Sequence, residues 1–391
     1  MNRIFVVLIV ALAVIALAQL MRIYQLSSKV RNKKEEEISD SDNRLNASLM
    51  LVSLFAYFGF VIWQIVHWGP HMLPEAASEH GVAIDQLFAF NWALLFTVFF
   101  AVHTVLFVFA WKYYYRPGTK AYFYPHNNKL EFIWTIVPSV VLAGVIIFGL
   151  ITWNEIQKPK SDNTITIELY SKQFDWTARY AGKDDQLGKS NYLLVTGTNP
   201  LGIYSDESIV ERLHEFEETI QRYELKLTTI IPDDKRKELE HSIAKNKRLR
   251  ARVMDIQTKN KGLNTGKDDH VVKGEMHIPV NTEVEFLFRS QDVIHSAYMP
   301  HFRLQMNTVP GDITRFMMTP TITTAEMRNK LNNQEFNYIL MCNKVCGAAH
   351  YNMQMDVIVD TPEDYQKWLN EQKPFIAESG KQEKKNQLAD N

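Results

Sequence analysis

The residues best suited to chemistry lie in one short stretch near the end of the 391-residue chain. Cys342, Cys346, His350 and Met353 bring two thiols, an imidazole and a thioether together within twelve residues. Soft sulfur ligands combined with imidazole favour copper. Zinc also accepts cysteine and histidine, but methionine is a poor zinc ligand. Gly347 adds the backbone freedom that a tightly folded ligand loop requires. The spacing therefore favours a copper site.

A disulfide is the main alternative use of Cys342 and Cys346, which are the only cysteines in the chain. Three residues separate them, so the pair could bridge locally if it faces an oxidising compartment. That pairing leaves the close spacing of His350 and Met353 unexplained. A second imidazole, His295, lies a few residues after a predicted strand and is a candidate for a further ligand.

The first third of the chain is far more apolar than the part that carries these residues. Its four apolar stretches lie at 4–21, 48–68, 86–113 and 132–153. A helix needs about 20 residues to cross a bilayer, and aromatic residues cluster at the ends of these stretches, as they do at membrane interfaces. The pattern predicts a transmembrane anchor of about four helices over residues 1–158, followed by a water-soluble domain.

The distribution of basic residues predicts the orientation of these helices. Lysine and arginine are frequent in 22–44 and 112–129, whereas 69–85 contains neither. Because basic loops stay on the cytoplasmic side, we expect the N-terminus, 69–85 and everything after residue 153 to face outward. A cleaved signal peptide is the alternative for the first stretch, but cleavage would move the basic 22–44 segment outside.

Period-two alternation of apolar residues predicts a β-sandwich or barrel over residues 159–376. The predicted strands lie at 164–169, 275–280, 283–288 and 353–359, with more expected in 295–315 and 336–341. Thr361 and Pro362 then begin a short helix that should end near Gln372. The tail over 377–391 is expected to be disordered because it is polar and lacks apolar residues for a core.

A charged insertion interrupts the strands at about 206–261. Its apolar residues recur at helical spacing, and Pro232 divides it, so we expect a helical hairpin. The hairpin could be a solvated decoration or an arm that docks a partner, and the pattern favours neither. The net charge of −1 gives no support for nucleic-acid binding, which needs a basic face.

The sequence resembles subunit II of cytochrome c oxidase. The stretch 342–353 matches the spacing of that family's CuA loop, residues 292–296 with 309–311 match its first-histidine segment, and 130–138 resembles the start of a family helix. The resemblance covers roughly 85–173 and 275–369. It implies that the chain is anchored in a bacterial inner membrane. A cupredoxin-like domain would then hold the copper site on the periplasmic face.

The resemblance also implies a dinuclear copper centre and a set of partners. Cys342 and Cys346 would bridge both coppers, His295 and His350 would each bind one, Met353 would be a weak ligand, and Lys344 would contribute its backbone carbonyl. Electrons would pass from a c-type cytochrome to the haem of subunit I, where oxygen is reduced to water with proton translocation; subunit III would be a further partner. The chain has no Cys-x-x-Cys-His motif, so the donor haem belongs to another protein.

Two further positions acquire roles through the resemblance. Glu131 matches a glutamate at the mouth of a proton channel, although an acid at a helix start is ordinarily a solvated cap. The family's electrons enter at an aromatic stretch that begins with tryptophan. Here Phe174 holds that position, and Trp176 keeps the second aromatic.

Two other positions depart from the family pattern. Lys344 replaces a glutamate that helps to bind magnesium at the boundary with subunit I, so the resemblance does not carry that magnesium site over to this chain. Asn307 replaces an aspartate of the patch that docks cytochrome c. Together with Phe174 at the electron-entry position, Asn307 leads us to expect that the electron donor docks on an altered surface, which could include the helical hairpin.

Three other classes of protein share some of these features. A copper-free structural subunit of a quinol oxidase has the same fold but lacks the ligands. A nitrous-oxide-reducing enzyme carries CuA but has a propeller domain, for which this chain has no room. A copper-delivery protein needs neither Met353 nor the segment around Glu131.

Overall fold

Four long apolar helices begin the chain in this computed structural model, which describes residues 3–30, 38–159, 161, 163–259 and 266–375. They are α1 (Arg3–Val30), α2 (Asp40–Trp68), α3 (Glu79–Lys112) and α4 (Asn128–Gln157). All four are long and apolar enough to span a membrane, which confirms the predicted spans. Helix α2 starts well before its apolar stretch because the Ser39 hydroxyl accepts a hydrogen bond from the backbone N–H of Asp42 and caps the helix.

The chain divides into two units, of which the first comprises Met1–Met72 and Phe90–Val140. Within it, α2 and α3 meet through aromatic rings: Phe58 and Phe100 lie edge to face with centroids 4.7 Å apart. His103 hydrogen-bonds the carbonyl of Phe99 in its own helix at 2.8 Å. Most apolar side chains of these helices are exposed in the isolated chain, as expected for surfaces that face lipid or partner subunits.

The second unit comprises Leu73–Ala89 and Val141–Asn391 and contains two five-stranded sheets. The first has the order β3-β2-β1-β5-β8 and the second β4-β10-β9-β6-β7. The strands are β1 (Ile165–Lys172), β2 (Asp175–Tyr180), β3 (His270–Lys273), β4 (Glu275–Pro279), β5 (Val284–Ser290), β6 (His295–Met299), β7 (Leu304–Thr308), β8 (Thr314–Met318), β9 (Tyr338–Cys342) and β10 (Gln354–Asp360). The predicted cupredoxin-like sandwich is confirmed.

The core of the sandwich lies between the two sheets and follows from the alternation along each strand. In β1, Ile167 and Leu169 point inward and are fully buried. Trp176, Phe286 and Phe288 fill the same layer. Because side chains alternate across a strand, the intervening residues of β1 point to the outer face of the first sheet.

The helical hairpin is also confirmed, as α5 (Asp206–Leu227) and α6 (Asp233–Lys259). Its two helices bury Phe216 and Val253 between them. Cross-helix ion pairs join Glu217 to Arg250 at 3.2 Å and Glu224 to Lys247 at 2.8 Å. The hairpin is therefore held by an apolar seam with paired charges beside it, as amphipathic helices of this composition require.

The loop that leads into the hairpin covers the outer face of the first sheet. Leu201 and Ile203 pack against Tyr170 of β1. The charged side chains of that face are consequently buried, and they remain ionically paired: Arg179 lies 2.6 Å from Glu168 and 2.9 Å from Asp269. Burial raises the pKa of Asp269 to about 6, although the Arg179 charge opposes the shift.

Two shorter helices also belong to the second unit. The predicted C-terminal helix is confirmed as α8 (Pro362–Glu371), with Thr361 as its cap. Helix α7 (Thr324–Leu331) was not predicted, although Thr323 and Glu326 form the capping box that marks its start. Strands β2 and β3 were also missed. The tail predicted to be disordered lies outside the described residues. The predicted boundary between the membrane anchor and the soluble domain, after residue 158, stays a prediction.

Candidate metal centre

One loop carries five of the six candidate ligands. It joins β9, which ends at Cys342, to β10, which begins just after Met353. His295 is the first residue of β6, the neighbour of β9 in the second sheet, where Ala297 pairs with Cys342. The loop is closed at its base by the Cys342 N–H, which donates to the Met353 carbonyl at 3.0 Å. The sheet therefore brings the distant histidine beside the loop.

The donor atoms of these residues converge on one point. The two sulfurs, Cys342 Sγ and Cys346 Sγ, lie 3.8 Å apart. Around them lie the other donors at 3.2–3.9 Å from a sulfur: Lys344 O and His295 Nδ1 beside Cys342, and His350 Nδ1 and Met353 Sδ beside Cys346. The residues that the sequence singled out as ligands are thus brought together.

These separations fit shared metal ions. Ligand atoms bound at about 2.0–2.3 Å with tetrahedral angles lie about 3.3–3.8 Å from one another, which is close to the range observed here. Among the described residues, the ligand atoms of His295, Cys342 and Cys346 all fall within 4.8 Å of each other. Two thiolates and a thioether are soft donors, and together with two imidazoles they suit copper; the carbonyl is an additional, harder donor. The residues therefore fit the metal that the sequence pattern favours.

The two thiols are free and are not bonded to each other. A disulfide would need sulfurs about 2.05 Å apart, against the 3.8 Å found here. Cys346 is buried, and burial, together with the neighbouring Cys342 thiol, raises the pKa of Cys346 to about 11. A metal ion that binds Cys346 as a thiolate must therefore displace the proton of its thiol.

Gly347 has a conformation that the loop needs. Its φ is +146°, a value that other residues rarely adopt. A Cβ atom at this position would lie 2.8 Å from Cζ of Phe174 and 2.9 Å from Nε2 of Gln173. Both the backbone angle and the close approach therefore require glycine here.

His295 is fully buried, and its orientation is fixed from behind. Its Nε2 lies 2.9 Å from a carboxylate oxygen of Asp292, while Nδ1 faces the Cys342 sulfur. Burial acts to raise the pKa of Asp292, but hydrogen bonds from the N–H groups of Gln173 and Val293 and from His295 hold that pKa below its usual range. A carboxylate in this place orients the ring, so that Nδ1 would be available to a metal ion bound beside the Cys342 sulfur.

The two aromatic residues of the predicted electron path lie in different environments. Phe174 is half-buried and contacts the β9–β10 loop at Gly347. Trp176 is fully buried, with its ring centroid 6.3 Å from that of His295. The surface of the loop is apolar where Val345 and Tyr351 are 84% and 86% exposed.

The remaining predicted positions lie outside the donor cluster. The side chains of Lys344 and Asn307 are exposed. Glu131 belongs to the first unit, where its carboxylate accepts a hydrogen bond from the Asn127 N–H at 3.2 Å and caps α4. The contacts of Asp292 and Gln173 with the donor cluster were not predicted from the sequence. The spacing of Asp292 three residues before His295 was the available signal for the first.

Two family models match the chain. One, described as the transmembrane domain of cytochrome C oxidase subunit II, matches residues 65–151. The other, described as the periplasmic domain of the same subunit, matches residues 254–361. The two ranges contain all the predicted ligands and Glu131, and they leave β1, β2 and most of the helical hairpin between them.

Curated relatives match across most of the chain. The alternative cytochrome c oxidase subunit 2 of Bradyrhizobium diazoefficiens is 26% identical over 335 residues, which are 85% of this chain and 95% of that protein. Cytochrome c oxidase subunit 2 of Thermostichus vulcanus is 26% identical over 321 residues, which are 79% of this chain and 82% of the relative.

Solved structures give weaker matches. The periplasmic domain of subunit II of cytochrome oxidase from Bradyrhizobium japonicum aligns with 54% of this chain and 94% of its own length, at 15% identity and a TM-score of 0.26. At that score the structure adds nothing to the family assignment, which the sequence matches carry. By both family models and by relatives along most of its length, the chain belongs to the cytochrome c oxidase subunit II family.

Proposed function

We propose that this chain is the electron-accepting subunit of a cytochrome c oxidase. In this proposal a dinuclear CuA centre receives electrons from a c-type cytochrome and passes them to haem in subunit I, where oxygen is reduced to water with proton translocation. The observation that carries the proposal is the convergence of six donor groups. The two free thiols lie 3.8 Å apart, and each of the other four donor atoms lies 3.2–3.9 Å from one of the two sulfurs.

The proposed ligands divide into bridging and terminal groups. Cys342 and Cys346 lie at the middle of the cluster, so their thiolates are the groups that can bridge two ions. His295 lies on the Cys342 side with the Lys344 carbonyl, and His350 lies on the Cys346 side with Met353. When bound, two bridged copper ions supply a site that takes up and releases one electron at a time.

The protein's contribution to this chemistry is to hold the ligands still. Met353 and His295 are almost completely buried, the loop is closed at its base by strands β9 and β10, and Gly347 allows the tight turn. Ligands that keep their positions in both oxidation states reorganise little, and this favours rapid electron transfer. No bond of a substrate is made or broken at this site.

We also propose how the partners meet this chain. Phe174 contacts the β9–β10 loop and holds the position at which electrons would enter, with Trp176 behind it. The exposed Val345 and Tyr351 give the loop an apolar surface that suits burial against a haem-bearing subunit I. Glu131 would serve the proton path into that subunit. Subunit III would complete the complex, and the copper domain would face the periplasm of a bacterial inner membrane.

A copper-free structural subunit of a quinol oxidase is the alternative function. The presence of all six donors in one cluster weighs against it, because a structural subunit does not need them. Magnesium at the boundary with subunit I has little support, since Lys344 offers no carboxylate.

An electron-transfer experiment tests the proposal directly. The full chain, purified in detergent and loaded with copper, is mixed with a reduced c-type cytochrome. We expect the cytochrome to be oxidised as the optical absorption of the copper centre bleaches, with one electron transferred per chain. Cys342→Ser, which removes a bridging thiolate, should abolish the transfer. A copper-loaded chain that no c-type cytochrome reduces would contradict the proposed donor, and a chain that binds no copper would favour the structural subunit.

A further inference from the structure

The candidate ligands come from two separate segments, and both belong to the second sheet. One segment is the β9–β10 loop, and the other is the start of β6 with His295. The turn between β1 and β2, formed by Gln173 and Phe174, belongs to the first sheet. This turn nevertheless reaches both ligand segments, so the opposite sheet takes part in building the centre.

The side chain of Gln173 contacts the ligand loop. Its amide Nε2–H donates to the backbone carbonyl of Cys346 at 2.5 Å. The Phe174 ring beside it leaves no room for a Cβ at Gly347. The carbonyl that Gln173 holds belongs to a proposed bridging cysteine, so this hydrogen bond restrains the backbone at the middle of the cluster.

The backbone of the same residue contacts the histidine segment. The Gln173 N–H donates to one carboxylate oxygen of Asp292 at 2.7 Å. The other carboxylate oxygen lies 2.9 Å from Nε2 of His295. A donated Nε2–H leaves the lone pair of Nδ1 free, and Nδ1 is the nitrogen that faces the Cys342 sulfur.

We propose that Gln173 is a positioning residue that ties the two ligand segments together, with Asp292 as its link to His295. The inference rests on the proposed copper centre and adds to it. One residue restrains Cys346 through its side chain and His295 through its main chain and Asp292. Outer groups that orient metal ligands typically contribute about 10–100-fold to metal affinity, so loss of this tie should loosen copper and change its electronic environment.

The test uses the full chain in detergent, loaded with copper. Gln173→Ala removes the amide, Gln173→Glu places a carboxylate against the Cys346 carbonyl, and Gln305→Ala is a matched control on the exposed edge of β7. The measurements are the rate of copper loss to a chelator, the copper hyperfine splitting in electron paramagnetic resonance, and the reduction potential. We expect both Gln173 variants to lose copper about 10-fold faster or more, with altered splitting and potential, and the control to match the wild type.

The Asp292 variants separate positioning from general loss of structure. Asp292→Asn keeps an acceptor oxygen, so it should retain copper better than Asp292→Ala, and only the latter should strongly change the hyperfine splitting. Wild-type values in both Gln173 variants, or equal losses in Gln305→Ala, would overturn the inference. A wild-type chain without a two-copper signal would instead overturn the proposed function, so the two failures are distinguishable.

Discussion

Gly347 shows how narrowly single residues determine the ligand cluster. Its φ of +146° and the contact with the Phe174 ring both exclude a side chain. For any other residue, backbone strain of this kind costs about 1–3 kcal/mol, and we expect the loop next to Cys346 to shift in response. Gly347 therefore allows the tight turn that lies between Cys346 and His350 in the ligand loop.

Replacement of Gly347 by alanine tests this requirement. We expect Gly347→Ala to reduce the copper content of the purified chain and to broaden the copper signal in electron paramagnetic resonance, because the loop must shift. Gly197→Ala is the control, since nothing lies within 4 Å of a Cβ added there. Full copper content with an unchanged signal in Gly347→Ala would show that the loop tolerates a side chain.

Glu131 is the residue for which structure and resemblance suggest different roles. Its carboxylate caps α4 through the Asn127 N–H, which is what a residue in a first helical turn ordinarily does. Capping does not exclude proton transfer, because the second carboxylate oxygen can still exchange protons with water or a partner.

The two roles of Glu131 predict different results for Glu131→Gln in the assembled oxidase. Glutamine keeps an acceptor for the cap but cannot carry a proton. If Glu131 serves a proton path, oxygen consumption should slow by 10-fold or more while the copper spectrum stays that of the wild type. Oxygen consumption at the wild-type rate would leave only the capping role.

At the scale of elements, the helical hairpin is attached through buried charges as well as apolar residues. Its leading loop covers the outer face of β1 and β2 and thereby buries Glu168, Arg179 and Asp269. Side chains on the outer face of a sheet are usually solvated, so the sequence alone gives no sign that these charged side chains are buried. They are buried because the insertion lies over them.

The pH dependence of stability tests this attachment. The pKa of Asp269 is raised to about 6 in the folded chain, above its ordinary value of about 3.9. The folded state therefore binds more protons between about pH 4 and pH 6, and this group's contribution to stability is lost as the pH rises through that window. The shift of about two pH units corresponds to at most about 3 kcal/mol.

Asp269→Asn, which cannot ionise, isolates that contribution. We expect the melting temperature of the wild type, relative to that of the variant, to fall as the pH is raised from about 4.5 to 7. Comparison at each pH cancels the groups that titrate in both proteins. A relative melting temperature that instead rises with pH would mean that the ion pair with Arg179 outweighs the cost of burial.

The elements differ in how well the sequence predicted them. The membrane helices and the hairpin have strong periodic or compositional patterns, so their existence and type followed directly. Strand β3 has only four residues, too few for a clear alternation. Strand β2 was missed even though Trp176, Ala178 and Tyr180 alternate along its six residues. Helix α7 was missed even though Thr323 and Glu326 form its capping box, because its eight residues make only about two turns and carry too few apolar residues to show a helical period.

At the scale of the whole molecule, spacing along the chain predicted the ligands but not what holds them. Four candidate ligands lie close together in the sequence, so their spacing alone predicted a shared site: Cys342, Cys346, His350 and Met353. Gln173 lies far from that stretch and meets it only because the two sheets face each other. Contacts of this kind depend on the assembled sandwich, and a single sequence carries no local signal for them.

The proposed dinuclear centre needs two sheets, one loop and one distant histidine to come together. The most direct measurement is the copper content and electron paramagnetic resonance spectrum of the full chain, loaded with copper under reducing conditions and then oxidised. We predict two coppers per chain that share one unpaired electron. No bound copper, with Cys342 and Cys346 joined as a disulfide, would contradict the claim and leave a structural subunit.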